Sequence, residues 1–263
     1  MHKLFALFLV GALVGCEPED ETQAPPEAET YLLVHGAFAG AWTWDEVVTQ
    51  VETAGHRAIT LDLPAHGDDP TMPADATLDS YTARVVEELD SAEKPVVLVG
   101  HSMGGLVVSQ AAEARPDKVK KLVYVAAFLV PDGTSLLEAS MGDTESQLAN
   151  YAMPNADGTV TLAEEGILGA FCSDCDDTQA GEIAARLRPE PLAPFTTGIL
   201  TTNENWGRVP RIYIETLQDL AIGPARQKSF YEALPCERVI SIDSGHCPFL
   251  TRPTELADAL LSL

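Results

Sequence analysis

Basic residues are scarce in this chain. Its 263 residues include 16 lysines and arginines against 40 aspartates and glutamates, which gives a formal net charge of −24 at pH 7. A surface of that sign repels the phosphates of nucleic acids, so we exclude a nucleic-acid partner. The excess of acidic residues favours solubility and carries no information about the fold.

The sequence also lacks an apolar run long enough to span a bilayer. The N-terminal run Leu4–Val14 is shorter than the ~20 apolar residues that a spanning helix needs. It ends in Leu13-Val14-Gly15-Cys16, which resembles the cleavage site of a bacterial lipoprotein signal. We predict that residues 1–15 are a signal peptide and that the Cys16 thiol carries lipid. An ordinary secretory signal with a chance cysteine is the alternative.

The segment that follows has no apolar periodicity. Residues 16–29 are acidic and contain proline, which is typical of a disordered tether. A lipid-anchored protein needs such a spacer between the membrane and its folded part. We therefore expect an exported protein on the periplasmic or cell-surface face of a bacterial membrane, with the lipid anchor as its only membrane contact.

Paired metal-binding motifs are missing as well. Cys172 and Cys175 have a spacing that closes a small loop or binds metal, but no second Cys or His pair at suitable spacing accompanies them. We expect no metal and no organic cofactor. Cys236 and Cys247 flank a predicted strand of about six residues, which spans ~20 Å, so a direct bridge between them is disfavoured.

Apolar residues are abundant, at 46% of the chain, and they lie in strands that alternate with helices. This content suits one domain over residues 30–263. Strands joined by helical crossovers form parallel sheets covered on both faces. We expect an α/β fold with a mainly parallel six-stranded sheet, whose strands are Thr30–Val34, Ala58–Leu61, Val96–Val99, Val119–Ala126, Arg211–Glu215 and Arg238–Ile242.

Residues 130–208 interrupt this alternation. An insertion between two strands lies over the carboxyl ends of the sheet, where ligands bind in such folds. We predict that it forms a small helical cap over the substrate pocket, with short helices at Thr161–Ala170, at Thr178–Leu187 and near Pro194–Thr201. A surface insertion without a function is the alternative.

The candidate nucleophile is Ser102. Val96–Val99 leads into Gly100-His101-Ser102-Met103-Gly104, and a helix-compatible run follows, which is the context of a strand–turn–helix nucleophile elbow. The residues two before and two after the serine must be small in so tight a turn, and both are glycine. The Met103 amide then points to where an oxyanion would form.

The serine needs a base and an orienting acid. In this architecture the acid follows the serine in the chain, and the histidine comes after the acid. His246 is the only histidine after Ser102. Asp219 follows the preceding strand and is the predicted acid, which would hold the His246 tautomer. Asp132, after an earlier strand, is the alternative, and Glu215 is expected to point away from within its strand.

The second oxyanion donor is expected in the loop after the first strand. There Gly36 permits close approach of the backbone, and the Ala37 amide is the predicted donor, paired with Met103. His35 would be structural. His101 is expected to point into the packing of the sheet, without a catalytic role.

These residues lie in segments that resemble the α/β-hydrolase superfamily, and within it the plant methylesterase and hydroxynitrile lyase group with its bacterial relatives. The resemblance runs from Thr30 to the end of the chain. It implies that Phe128 lines the substrate pocket, and we place Phe38 there too. The segments that carry it are 35–44, with two tryptophans, 61–67, 100–105, 245–250, 171–175 and 187–192.

Two positions bear on the choice between ester hydrolysis and cyanohydrin cleavage. The lyases that this chain resembles have a threonine at the position of Gly36 and a lysine at that of Cys247, and the lysine would stabilise departing cyanide. This chain has neither residue. We therefore predict serine-dependent hydrolysis of a small carboxylic ester through an acyl-enzyme intermediate. Lyase chemistry and a non-catalytic ligand-binding protein of this fold are the alternatives.

Overall fold

Six parallel strands form the main sheet of the protein. In the computed structural model, which describes His2 and residues 28–263, their order across the sheet is β2-β1-β3-β4-β8-β9. The predicted parallel six-stranded α/β fold is confirmed. The strands are β1 (Thr30–Val34), β2 (Arg57–Leu61), β3 (Val96–His101), β4 (Val119–Val125), β8 (Arg211–Thr216) and β9 (Arg238–Ile242).

The centre of the sheet lies at β3, and every residue of this strand is buried. Such a continuous apolar run suits a parallel strand covered on both faces. The chain passes from β1 to β2 on one side and then to β3 on the other. The order therefore reverses between β1 and β3, which is where open α/β sheets form a crevice at the carboxyl ends of the strands.

Nine α-helices occur among the described residues. Several begin where a side chain satisfies free backbone amides: Thr77 at the start of α2 and Asp176 at the start of α5 each form a capping box. The helices are α1 (Asp45–Thr53), α2 (Leu78–Ser91), α3 (Gly104–Ala114), α4 (Leu136–Ser140), α5 (Asp177–Arg186), α6 (Ala193–Thr196), α7 (Pro224–Ala233), α8 (Pro248–Thr251) and α9 (Pro253–Leu261).

The segment 130–208 contains the short helices α4, α5 and α6, and also strands that the prediction of a small helical cap did not include. A small antiparallel sheet is formed by β5 (Ala152–Pro154), β6 (Thr159–Leu162) and β7 (Glu190–Pro191). The predicted helix Thr161–Ala170 is therefore replaced by the end of β6 and a π-helical turn at Ile167–Phe171. The turn at Asp157-Gly158, with a glycine φ of 83°, joins β5 to β6 and sets the hairpin.

The predicted signal peptide, the lipidation site Cys16 and most of the predicted tether lie outside the described residues. Glu29, assigned to the tether, belongs to the folded part instead: its amide donates to Nδ1 of His56 at 3.1 Å, and its carboxylate pairs with Lys120. Of the helices in the described part of the chain, none has both the length and the apolar character needed to cross a membrane.

The structure shows which cysteines of the folded part are paired and which are free. Cys172 and Cys175 form a disulfide with a Cα–Cα distance of 5.3 Å. Cys236 and Cys247 are free thiols, in agreement with the expectation that a direct bridge between them is disfavoured. The loop that this disulfide closes contacts the residues after β9, since Asp174 accepts from the Thr251 hydroxyl at 2.8 Å.

Candidate active site

Ser102 stands at the turn between β3 and α3, as the elbow pattern predicts. Its φ is 53°, in the left-handed region that non-glycine residues rarely adopt. Its backbone is fixed on both sides, because its amide donates to Val125 O at 3.2 Å and its carbonyl accepts from the Phe128 amide at 3.1 Å. Strain of this kind costs on the order of 1–3 kcal/mol and persists only where the surroundings hold it.

The two glycines around the elbow are required by close backbone contacts. A Cβ at Gly100 would lie 2.7 Å from the carbonyl oxygen of Gly104, and a Cβ at Gly104 would lie 2.7 Å from that of His35. The turn therefore has no room for a larger residue at either position. No described residue hydrogen-bonds to the Ser102 hydroxyl, and hydrogen bonds of this kind often tighten only when substrate is bound.

Asp219 and His246 form a buried pair. Oδ2 of Asp219 lies 2.7 Å from Nδ1 of His246, and the two residues are 0% and 1% exposed. Asp219 follows β8 and His246 follows β9, so the parallel strands bring both to the same edge of the sheet. A carboxylate at Nδ1 fixes the tautomer whose Nε2 is free to accept a proton.

Further partners hold the Asp219 carboxylate in place. Oδ1 accepts from the amides of Ala221 and Ile222 at 2.7 and 2.8 Å, and Oδ2 accepts from Thr216 Oγ1 and Gln227 Nε2 at 2.8 and 2.9 Å. Gln227 is fully buried on α7. The sequence reasoning missed it, because a glutamine in a helix gives no signal of this contact.

The alternative acid Asp132 and the strand residue Glu215 both form hydrogen bonds elsewhere. Asp132 accepts the Thr201 amide at 2.9 Å. Glu215 lies within β8 and accepts from the Tyr231 and Ser241 hydroxyls at 2.9 and 2.7 Å. Neither carboxylate bonds to His246, so the geometry favours Asp219 as the orienting acid.

His101 connects the elbow to the loop that carries His246. Its Nε2 lies 2.8 Å from the His246 carbonyl oxygen, and the two rings are 4.6 Å apart at their centroids. The ring also packs edge-on against Trp44 and Phe249. Burial, with a smaller effect of His246, holds the pKa of His101 well below its usual range. A neutral, packed His101 suits the structural role expected of it.

The loop after β1 presents a free amide next to the elbow. No described residue accepts from the Ala37 or Met103 amides, and both residues line one cavity with Ser102. A Cβ at Gly36 would lie 2.8 Å from Ser102 Cβ, so only glycine permits this approach. His35 supports the loop as predicted, with Nδ1 2.7 Å from Gly36 O and Nε2 accepting from the Leu63 amide at 3.0 Å.

The cavity at Ser102 measures about 320 Å³ and is mostly apolar. Phe38 and Phe128 both line it, where the sequence placed them. Asp143 is the one charged residue among its described lining residues, and its carboxylate accepts backbone amides, including that of Gly223 at 2.9 Å. A larger, polar depression beside Trp42 does not include Ser102, so the apolar cavity is the one that the candidate nucleophile faces.

Cys247 is packed away from solvent directly after His246. It is fully buried, and its thiol donates to Phe171 O at 3.0 Å. Burial, with a smaller effect of Asp219, raises the pKa of this thiol well above its usual range. Among the described residues that line the cavity at Ser102, no lysine or arginine takes the place of the lyase lysine. Within residues 28–263 no group of three or more His, Cys, Asp or Glu side chains is placed to hold a metal ion.

Comparison with known proteins assigns the fold to a family. A family model described as the alpha/beta hydrolase family matches residues 31–259. The chain belongs to this family. It is 30% identical to methylesterase 9 of Arabidopsis thaliana over 249 residues, which cover 89% of this chain and 97% of that protein.

Two further relatives bear on the chemistry. The chain is 30% identical over 253 residues to an alpha-hydroxynitrile lyase of Arabidopsis thaliana, covering 89% of this chain and 96% of the lyase. The crystal structure of polyneuridine aldehyde esterase superposes with a TM-score of 0.80 at 25% identity, covering 90% of this chain and 99% of that one. The predicted family resemblance is confirmed. Overall sequence identity is the same to methylesterase 9 and to the lyase, so the choice between the two reactions depends on the residues of the site.

Proposed function

We propose that this protein is a serine carboxylic-ester hydrolase that acts through an acyl-enzyme on Ser102. One observation carries the proposal: Ser102 lines the same apolar cavity as Ala37 and Met103, whose amides are free. The buried Asp219–His246 pair stands at the same edge of the sheet. Methylesterase and esterase relatives support the same reaction class.

The reaction follows from this geometry. Ser102 Oγ bonds to the ester carbonyl carbon while His246 Nε2 takes its proton, and the carbonyl π electrons move to the oxygen. That oxyanion accepts from the Ala37 and Met103 amides, each worth about 3 kcal/mol in the transition state. The C–O bond to the alcohol then breaks, and the alcohol leaves with the proton from His246. Water repeats the sequence and releases the acid.

The cavity and the surface charge select the substrate. No lysine or arginine is among the described residues that line the cavity, and the formal charge of −24 repels anions. We therefore infer a small, uncharged ester with an apolar acyl or alkyl group. An ester that carries a free carboxylate would lose hydration at this site without gaining a partner.

The lyase alternative lacks support at the two positions that bear on it. Cyanide departure develops negative charge, and the buried neutral thiol of Cys247 offers no compensation. Gly36 has no room for a hydroxyl-bearing side chain. A non-catalytic binding protein would not need the strained serine at the elbow.

A panel of esters tests the proposal. Purified protein should hydrolyse p-nitrophenyl acetate and small methyl and aryl esters, and Ser102→Ala should not. The matched pair dimethyl succinate and monomethyl succinate differs by one carboxylate, and we expect the diester to be turned over at least tenfold faster. Absence of hydrolysis across the whole panel contradicts the proposal, and equal rates for the pair contradict the inferred substrate class.

We also propose that the enzyme is exported and anchored to a bacterial membrane by lipid on Cys16. The apolar run before this cysteine and the acidic segment after it support the proposal, and the Cys172–Cys175 disulfide suits an oxidising compartment. Cys16→Ser should release the enzyme from the membrane fraction or leave the precursor uncleaved. A wild-type protein that is wholly soluble, with no lipid on its N-terminal peptide, contradicts it.

A further inference from the structure

The cap is hydrogen-bonded to the backbone of Phe38, in the loop after β1 that carries the Ala37 amide. Glu190 Oε2, on β7, accepts the Phe38 amide at 2.9 Å, and the Arg188 amide donates to Phe38 O at 2.8 Å. Phe38 has a φ of 63°, which is unfavourable for so bulky a side chain. Both backbone polar groups of this strained residue are thus bound to a three-residue segment that is distant in sequence.

The carboxylate of Glu190 is itself fixed. The residue is 0% exposed, Oε2 also lies 2.7 Å from Nε2 of His66, and Oε1 accepts the Tyr81 hydroxyl at 3.1 Å. Nδ1 of His66 lies 3.0 Å from Pro64 O. Both ring nitrogens of His66 thus face oxygen atoms, an arrangement that favours the protonated imidazole as the partner of Glu190. Burial lowers the pKa of His66, but the Glu190 carboxylate, with smaller effects of the Pro64 carbonyl and Asp62, outweighs burial, so that the pKa is raised.

We propose that Glu190 is a positioning residue that aims the Ala37 amide at the oxyanion by holding Phe38. Ala37 is the residue before Phe38, so a rotation of the Phe38 peptide turns the neighbouring Ala37 peptide too. His35 holds the loop on the other side, through Gly36 O. The free Ala37 amide therefore lies between two fixed points, one in the core and one in the cap.

The proposal rests on ester hydrolysis at Ser102 and predicts which kinetic constant responds. The oxyanion exists only in the transition state and the tetrahedral intermediate, so a misplaced amide lowers kcat with little effect on KM. Removing one oxyanion donor costs about 10²–10³ in kcat. Loosening the donor without removing it should cost about tenfold to a hundredfold.

Variants can separate positioning from stability. Glu190→Ala removes the partner of the buried His66 and leaves a cavity beside it, which is strongly destabilising. The double variant His66→Leu with Glu190→Met replaces the pair by apolar side chains of similar size, which such sites tolerate well, but provides no acceptor for the Phe38 amide. Tyr81→Phe is the matched control, since it removes a contact to Oε1 and leaves the contact of Oε2 to Phe38. Glu190→Gln retains an acceptor oxygen.

The test measures kcat, KM and inhibition by a trifluoromethyl ketone, which Ser102 converts to a hemiketal with its oxyanion at the two amides. We expect the double variant to lose about tenfold or more in both kcat and inhibitor affinity at nearly unchanged KM. Tyr81→Phe should stay within about twofold of wild type, and Glu190→Gln should recover most of the loss. A folded double variant with wild-type kcat and inhibitor affinity overturns the proposal, as does a Tyr81→Phe enzyme that loses as much as the double variant.

Failure of the proposed function is distinguishable from failure of this inference. If the wild-type protein hydrolyses no ester, the proposed function fails before any variant is compared. If the wild type is active and Ser102→Ala is not, the esterase assignment holds whatever the Glu190 variants show.

Discussion

Oδ2 of Asp219 lies 2.7 Å from Nδ1 of His246, and this carboxylate makes four further hydrogen bonds in a fully buried site. Two of them come from backbone amides and two from side chains. An acid held in this way cannot turn away from the imidazole. The pair is therefore arranged before substrate binds.

Asp219→Asn should be the most damaging substitution of a carboxylate near the site. The amide group would present a donor to Nδ1 and favour the wrong tautomer of His246, a change that can cost about 10⁴-fold in kcat. Asp132→Asn and Glu215→Gln are matched controls, and both should retain kcat within about twofold, because their carboxylates bond elsewhere. If Asp132→Asn is inactive while Asp219→Asn remains active, the orienting acid is Asp132 and not Asp219.

Acid should destabilise the protein partly through His35. Burial, with a smaller effect of His66, lowers the pKa of this residue from 6.5 to about 3, so between those values the unfolded chain binds a proton that the folded chain does not. His35 therefore costs no stability above pH 6.5. Below that pH it lowers the free energy of unfolding by roughly 1.4 kcal/mol per pH unit.

Urea unfolding at several pH values checks this effect. His35→Gln removes the titrating group, so the free energy of unfolding of the variant should fall less steeply between pH 6 and pH 4 than that of the wild type. Parallel curves for the two proteins would mean that His35 takes up a proton in the folded state.

Gly36→Ala should damage both stability and turnover. The new Cβ would lie 2.8 Å from Ser102 Cβ and from His101 Nδ1. Overpacking of this kind costs about 1–3 kcal/mol, and the displaced loop should lower kcat more than tenfold. Gly181→Ala is the control, since its Cβ meets nothing within 4 Å and alanine favours a helix by about 1 kcal/mol. A Gly36→Ala enzyme as stable and as active as Gly181→Ala would refute the close approach.

Much of this architecture is readable from the sequence. Ser102, His246 and Asp219 each follow a predicted strand, and parallel strands bring such positions to one edge whatever the rest of the chain does. The contacts of Glu190 and Gln227 could not be predicted, because their partners lie far away in sequence and depend on how the cap packs. The hairpin of the cap did carry a signal, Asp157-Gly158 directly before the β-branched run Thr159–Thr161, that the helical interpretation overlooked.

Mandelonitrile should not be a substrate. No lysine or arginine is among the described residues that line the cavity, and Cys247 is a buried neutral thiol, so no lysine or arginine of that lining stabilises cyanide as it leaves. Wild-type protein should release cyanide no faster than buffer. Cyanide release that disappears in Ser102→Ala would favour the lyase branch of the family.

Covalent trapping of Ser102 tests the central claim most directly. Diethyl p-nitrophenyl phosphate phosphorylates a serine that a histidine activates, and its phosphoryl oxygen occupies the position of the oxyanion. Intact-mass and peptide analysis should show one label per chain on Ser102, formed in step with the loss of esterase activity, and no label on Ser102→Ala. Esterase activity that survives complete labelling, or a label on another residue, would contradict the account.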